Sequence, residues 1–465
     1  MTSISSSGTI SSAGIGSGLD VNSLVSQLVA AERAPQDKQL GKATSTIGSQ
    51  LSAYKAIQST LGNLQTALKA LQGTTGAFSG NTATSSDTTI FTATTETNAA
   101  QGNYAIEVKS LATAQKLASS GYATSATTVG TGRLSIGSGA NAFNVDLDSS
   151  NNTLSGLRDA INNASANTSV TASLITADDG VHLVLTARNT GTSNAITVTT
   201  SGGDGALANL VYDPAHANQH LSQLSAAGDA VLSVEGYTYT SASNQVSGTV
   251  AGVTLNLAAA KPGTTLTLTV GHDNSGIAKA LQTLVSAYNA FENTINNTTA
   301  YNASTQTASA LTGDSLARSA EQQIRNALIA VTPGKSGGVR SMFDLGISTN
   351  DNGTLSFDSS KLNTALASDF GSASKLFATD GAVGSALQTA LNGFVGTGGV
   401  LDSRTTSLNK RLDDISKQRT TLDSRMAALT ARYTAQYSAL DSLMAQMNQT
   451  STFLTNQFNK SNSNS

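Results

Sequence analysis

The stretch LGKATSTIGSQLSAYKAIQSTLGNLQTALKAL, residues 40–71, decides the architecture. Leu40, Ile47, Tyr54, Leu61 and Leu68 recur every seven residues, and Ala43, Gln50, Ile57, Leu64 and Leu71 follow three positions behind them. A 3-4 apolar spacing draws a narrow stripe along one side of an α-helix, and another helix must cover it. A matching seam lies near the other end. Leu401, Leu408, Ile415, Leu422 and Leu429 step by seven, and Leu412, Arg419, Met426, Tyr433, Leu440, Met447 and Leu454 form a row beside them. The simplest cover for one stripe is the other. The fold class read from this is α+β: N- and C-terminal helices paired in a coiled-coil or helical-bundle leg, with β-rich head domains inserted between them. The spacing leaves open whether the seams close within one chain or between chains.

Composition narrows the function classes. Charged residues make up 12% of the chain, about half of the roughly 25% usual for globular proteins. The net charge of −3 gives no steering toward nucleic acid or anionic lipid. The lack of charge is concentrated at the ends. No charged side chain occurs before Asp20, and from Tyr433 to Asn459 the only one is Asp441. With no cysteine, disulfides, zinc knuckles and thiol nucleophiles are excluded. Met1 to Gly18 lacks the basic and apolar regions of a cleavable signal peptide, and no apolar run approaches the ~18 residues a membrane span needs.

Between the seams the period changes. Asp20 suits the N-cap of a short helix carrying Leu24, Val25 and Leu28, and Pro35 is expected to end or kink it. The first long seam then runs over about 36–72, and Gly41, Gly48 and Gly62 weaken it enough that it needs a partner. From about 130 to 270 the apolar signal has period two, as in Leu134/Ile136, Val181/Leu183/Leu185 and Val253/Leu255/Leu257, with Leu154, Leu157 and Ile161 marking one helix. Helix returns with Ile277, Leu281, Leu284, Tyr288, Phe291 and Ile295. A hairpin over Ile347–Thr349 and Leu355–Phe357 turns through Asn352-Gly353. The expected domains are terminal leg helices (1–39 plus 405–465), a helical bundle with a β-hairpin (40–95 plus 272–404), an inner β-rich lobe (96–125 plus 229–271) and an outer β-rich lobe (126–228).

The motifs that suggest chemistry fail their own context. Gly313-Asp314-Ser315-Leu316 resembles a hydrolase nucleophile motif, but all four histidines lie upstream of it, and Asp314 or Ser315 serves as a helix N-cap. Gly334 to Gly338 has the spacing of a nucleophile elbow without the strand-turn-helix it requires. Gly14 to Gly18 resembles a phosphate loop but follows no strand. His216 and His220 are four apart beside Pro214 with no third ligand, and Asn350 to Asn352 lacks the acids of a calcium loop. No catalytic, cofactor or metal site is expected. Within the seams, Gln50 and Arg419 either fix register or sit at a solvated edge.

A family resemblance covers nearly the whole chain in order. Gly16-Ser17-Gly18-Leu19-Asp20-Val21-Asn22-Ser23-Leu24-Val25 resembles the N-terminal signature of the bacterial flagellar filament-capping proteins, the flagellar hook-associated protein 2 family. Gly102 to Val108 with Leu111-Ala112 resembles that family's first strand, and residues 154–198 are similar to a module shared with flagellins. Asp229-Ala230, Gly236, Gly252 to Leu255, Tyr288-Asn289 and the ending from Ala435 to Leu454 resemble its C-terminal half. The resemblance implies a non-enzymatic, ring-forming homo-oligomer at the tip of the extracellular flagellum. It implies export through the flagellar apparatus, helical legs that reach flagellin and hook-filament junction proteins, and β lobes that form a plate beneath which flagellin folds. It also implies a cytoplasmic export chaperone at the C-terminal segment and, in some members, adhesion of the lobes to host or other surface ligands. Neither nucleic acid nor membrane insertion is implied. On that reading the oligomer and filament contacts are Leu19, Leu24, Val25, Leu28, Leu422, Met426, Leu429, Tyr433, Leu440, Met447 and Leu454. The bundle seam is Leu40, Ile47, Tyr54, Ile57, Leu61, Leu64, Leu68, Leu71, Ile277, Leu281, Leu284, Tyr288, Leu408, Leu412 and Ile415. The rival readings are a flagellin or hook-filament junction protein, and a secreted adhesin on a coiled-coil stalk.

Overall fold

A computed structural model describes residues 20–216, 218–333 and 338–462. Leu19, Gly14 to Gly18 and most of Gly334 to Gly338 lie outside the described residues. The chain divides into two compact units, residues 1–69 with 280–465 and residues 70–279.

The first unit is helical. Helix α1 (Val21–Lys69) begins where Asp20 accepts from the Ser23 N–H at 2.9 Å. It contains Pro35 without ending there, so of the two expected outcomes, an end or a kink, the end does not occur. Proline removes one ladder hydrogen bond, and α1 continues across it, with Val21 and Val25 buried before that position and Ile47, Tyr54 and Ile57 after it. Helices α3 (Asn274–Thr299), α4 (Ser315–Leu328), α5 (Ser359–Phe377), α6 (Ala382–Val395) and α7 (Val400–Asn462) follow. Asp314 is the N-cap of α4, with Oδ1 accepting from the N–H groups of Leu316 and Ala317 at 2.9 Å each.

A hairpin of β20 (Ile347–Thr349) and β21 (Leu355–Phe357) is fastened to α3 by side chains. Asn289 closes both backbone groups of Leu355 as a neighbouring strand would: its Oδ1 accepts from the Leu355 N–H at 2.7 Å and its Nδ2 donates to the Leu355 C=O at 2.9 Å. The Tyr288 hydroxyl donates to the Gly353 carbonyl at 3.1 Å. Gly353 is at φ +82°, and a Cβ there would stand 2.7 Å from Glu292 Oε1, so glycine is required for both reasons. Glu292 is only 2% exposed and accepts from Arg325 at 3.0 Å.

The second unit holds two β lobes. The outer lobe packs the sheet β11 (Asn218–Gln219), β10 (Tyr212–Asp213), β9 (Ile196–Ser201), β5 (Gly132–Ser138), β6 (Asn141–Leu147) with the sheet β12 (Ser222–Ser225), β4 (Lys116–Ala118), β8 (Gly180–Ala187), β7 (Val170–Ala177). Helix α2 (Leu154–Asn163) completes its core through Leu154, Leu157 and Ile161. The inner lobe packs the sheet β1 (Asn81–Ser85), β17 (Leu266–His272), β3 (Gly102–Ser110), β13 (Ala230–Val234), β14 (Tyr237–Ser241) with the sheet β15 (Gln245–Val250), β16 (Val253–Leu257), β2 (Phe91–Thr95). The remaining strands, β18 (Tyr301–Asn302) and β19 (Thr307–Ala308), pair in a small hairpin.

Two expected boundaries move, and two more do not exist as boundaries. Residues 81–95 do not belong to the helical part, because β1 pairs with β17 and β2 with β16. Residues 116–125 belong to the outer lobe, because β4 pairs with β8 and β12. The chain passes between lobes at Thr113 and Gly228, whose backbones exchange hydrogen bonds of 2.9 and 3.1 Å. The splits at 39/40 and 404/405 fall inside α1 and α7, which are continuous rods.

Two outcomes test the hairpin anchor. Asn289→Ala strands the two backbone groups of Leu355 and is expected to cost about 1–3 kcal/mol in urea unfolding. Burial is the main cause holding the Glu292 carboxyl above its ordinary range, with the Glu321 charge adding to it. Its stabilising share is therefore complete below the unfolded value and is lost as pH rises through the folded one. Glu292→Gln is expected to flatten the fall in stability above about pH 4.5, read as Tm against pH.

Candidate assembly surface

The two terminal seams meet within the chain. On α1, Tyr54, Ile57, Leu61, Leu64, Leu68 and Ile47 are buried, and on α7, Leu401, Leu408, Ile415, Leu422 and Met426 are buried. Leu71, Ile277, Leu281, Leu284 and Tyr288 are buried, while Leu40 and Leu412 are half-buried.

Polar contacts fix the direction of the pair. Arg33 donates to Asp423 at 2.6 Å, a Cβ at Gly41 would stand 3.9 Å from the Arg419 guanidinium, and Arg404 donates to the Tyr54 hydroxyl at 3.4 Å. Partner numbers fall along α7 as they rise along α1, so the helices are antiparallel. Arg33 and Asp423 are substantially exposed, so their pairing sets register more than it adds stability. Arg419 is exposed, lying at the solvated edge of its seam.

Tyr54 is the centre of the packing. Its ring is fully buried and its hydroxyl donates to Asp314 Oδ2 at 2.6 Å. The Arg404 guanidinium lies 5.7 Å from the ring centroid. Desolvation, then the bond to Asp314, pushes the Tyr54 hydroxyl above its ordinary value, so it acts as a donor. Asp314 thus caps α4 with one oxygen and receives α1 with the other, while Arg404 brings in α7.

This register places the start of α1 level with about residue 437 of α7, and α7 runs on for some 25 residues at 1.5 Å each. Along that extension the apolar side chains are uncovered by any described residue. Met447 is 64% and Phe458 68% exposed, and Leu440, Leu443, Met444, Phe453 and Leu454 are exposed as well. Leu440, Met444, Met447, Leu454 and Phe458 follow one another at helical spacings. A shallow groove runs along this stripe between Leu443 and Phe458.

The expected contact residues therefore separate into groups. Val25, Leu422 and Met426 are buried inside the chain and are not free to meet a partner, because α1 and α7 cover one another there. Leu24, Leu429 and Tyr433 are half-buried. Leu28, Leu440, Met447 and Leu454 are exposed, and Leu19 lies outside the described residues. Leu443, Met444, Phe453 and Phe458 are equally exposed and were not expected. For Leu443, Met444 and Phe458 the signal lies in the sequence as i+3 and i+4 neighbours of Leu440 and Leu454, whereas Phe453 directly precedes Leu454 and has no such relation to either.

The tempting motifs resolve structurally. Asp314 is a cap, Asn350 and Gly353 close the hairpin turn, and His216 is bonded to Asp213 at 2.5 Å. His216 ends a short 3₁₀ turn and His220 follows β11, so the two do not share a helix face.

Long paired terminal helices carrying inserted β lobes, with one helix end left apolar and bare, define a structural assembly protein. The profile described as flagellar hook-associated protein 2 N-terminus matches residues 17–115, and that described as flagellar hook-associated protein 2 C-terminus matches residues 227–449. The B-type flagellar hook-associated protein 2 of Pseudomonas aeruginosa is 34% identical over 453 residues, 94% of each chain. The flagellar hook-associated protein 2 of Escherichia coli K12 is 34% identical over 98% of this chain and 99% of that one. The crystal structure of the D1-D2-D3 domains of the flagellar cap protein FliD from Escherichia coli superposes with a TM-score of 0.61 at 32% identity, covering 77% of this chain and 99% of that chain. The chain belongs to the flagellar hook-associated protein 2 family, the structural cap proteins of the flagellar filament.

The covered seam between α1 and α7 and the bare end of α7 should respond differently to mutation. Leu61→Ala, in the covered seam, is expected to cost about 2–5 kcal/mol. Met447→Ser and Phe458→Ser are expected to change the unfolding free energy by less than about 0.5 kcal/mol. Chemical denaturation of the three variants measures both.

Proposed function

We propose that the protein caps the growing filament as a closed ring of identical chains, and that the uncovered end of α7 is the leg that holds it there. The apolar stripe from Leu440 to Phe458 carries this reading. Each of its large side chains gains roughly 1.5–3 kcal/mol on burial, and the flanking chain is almost free of charges that would oppose insertion among other helices. The partners are neighbouring copies, the last flagellin subunits and, at the start of growth, hook-filament junction proteins. The β lobes cover the exit of flagellin, and the work is steric: the emerging subunit is confined and folds before it escapes.

The same stripe, exposed before export, is the segment a cytoplasmic export chaperone would shield. The site of action is the extracellular flagellum at the filament tip, reached by secretion through the flagellar apparatus. Adhesion of the lobes to host or other surface ligands is a secondary role. The work requires no catalytic step.

The test is deletion of residues 438–465, which removes the bare stretch and leaves the covered seam. The shortened chain is expected to keep its thermal unfolding transition, to fail to cap, and to leave flagellin lost to the medium. Filaments of normal length with the shortened chain would refute the assignment of the leg.

A further inference from the structure

The inner lobe is a sandwich shut along one side and open along the other. On the shut side β1 lies beside β2: Thr95 Oγ1 donates to the Asn81 C=O at 2.6 Å, and Asn81 Nδ2 donates to the Thr97 C=O at 3.0 Å. On the open side the larger sheet ends at β14 and the smaller at β15. A cleft of about 390 Å³ lies there, lined in part by Tyr104, Val234, Tyr237, Tyr239, Gly248 and Thr249.

The register shows what this cleft lacks. β13 and β14 are joined by two residues, Glu235 at φ +52° and Gly236 at φ +85°. Tyr237 stands opposite Val234, and Tyr239 opposite the buried Leu232. Both tyrosines therefore lie on the core-facing side of the sheet. Yet Tyr237 is 81% and Tyr239 40% exposed, because the facing sheet stops at β15. In a hairpin with a two-residue turn the pair next to the turn exchanges hydrogen bonds, and the pattern then alternates. The N–H and C=O groups of Thr238 and Thr240 consequently point outward from the free edge. Edge strands are ordinarily guarded by charge or proline, and Tyr237–Ser241 carries neither. Across the cleft β15 bulges between Ser247 and Val250, with Gly248 at φ +82°. The Thr249 hydroxyl is buried there without a hydrogen-bond partner.

We propose that this cleft accepts an extended polypeptide segment, uncharged and with small alternate side chains, which pairs with β14 as an added strand. The outward groups of Thr238 and Thr240 are about 6.8 Å apart along the strand, the repeat of an extended chain. That repeat matches a polypeptide rather than a sugar. Every second side chain of the incoming strand falls over the tyrosines and faces β15, where it supplies the missing cover and a partner for the Thr249 hydroxyl. The segment is uncharged because Glu235, the one ionisable carboxylate in the lining, already accepts from the Ala105 N–H. The proposal stands on the inner lobe alone and holds whether or not α7 is the leg.

The test uses the full chain and the capped peptide acetyl-Thr-Val-Thr-Ala-Thr-Val-Thr-amide at millimolar concentration, followed by amide hydrogen exchange. Exchange across 237–241 is expected to slow on peptide addition, with no change in β1. Thr238→Pro removes an outward N–H without removing a bond to β13 and is expected to weaken binding at least tenfold. Thr249→Val keeps the shape, removes the unpartnered hydroxyl, and is expected to keep the fold and weaken binding at least threefold. Absence of protection in the parent chain, equal binding by both variants, or the same protection from a neutral oligosaccharide would each overturn the proposal.

Discussion

The antiparallel burial of α1 against α7 is the constraint on which the helical unit depends. Tyr54 has its ring fully buried and its hydroxyl on Asp314, and Asp314 at the same time begins α4. Arg404 brings α7 to the same point. Three helices far apart in sequence are thus registered by one phenol and one carboxylate. The leucines and isoleucines around them supply most of the stabilisation, since each buried side chain contributes roughly 1.5–3 kcal/mol. The surface ion pair Arg33–Asp423 sets the sliding register and adds little else.

The same constraint divides α7 by function. Up to Met426 its apolar row is covered by its own chain, through Tyr437 it is half covered, and from Leu440 it is bare. One seam pattern therefore runs from a stretch that closes the unit into a stretch that no described residue covers, and the second is the one the proposed function assigns to other molecules. What separates the two uses is the place where α1 begins. Under the proposed function such a helix belongs to the subunit along its covered part and joins the assembly along its apolar end.

The sequence was legible wherever an apolar period met a partner of the same period. The heptads of residues 40–71 and 401–429 implied the pairing that Arg33, Tyr54 and Arg404 now orient. Tyr288 and Asn289 were legible as part of a motif, but their role in fastening β21 required the Leu355 backbone to be in place. The strands β1, β2 and β14 were hard to read because Asn81–Ser85, Phe91–Thr95 and Tyr237–Ser241 are mostly threonine and other polar residues. Their strand character comes from neighbours in the sheet. Pro35 opposes helix locally and predicts an end or a kink, yet α1 runs on through it. Met426 and Met447 stand in one seven-residue row, the first covered and the second bare, and spacing alone does not tell the two apart.

The most direct test is the distance between spin labels on α1 and α7 in the full chain, which has no native cysteine to interfere. Labels at Lys38→Cys and Thr420→Cys, diluted with unlabelled chain to suppress contacts between copies, should lie within about 20 Å of each other. Labels at Lys38→Cys and Asn448→Cys should lie about 40 Å apart, since 28 residues of helix separate the two α7 positions. A short distance for the second pair and a long one for the first would contradict the antiparallel closure and the uncovered end of α7 that follows from it.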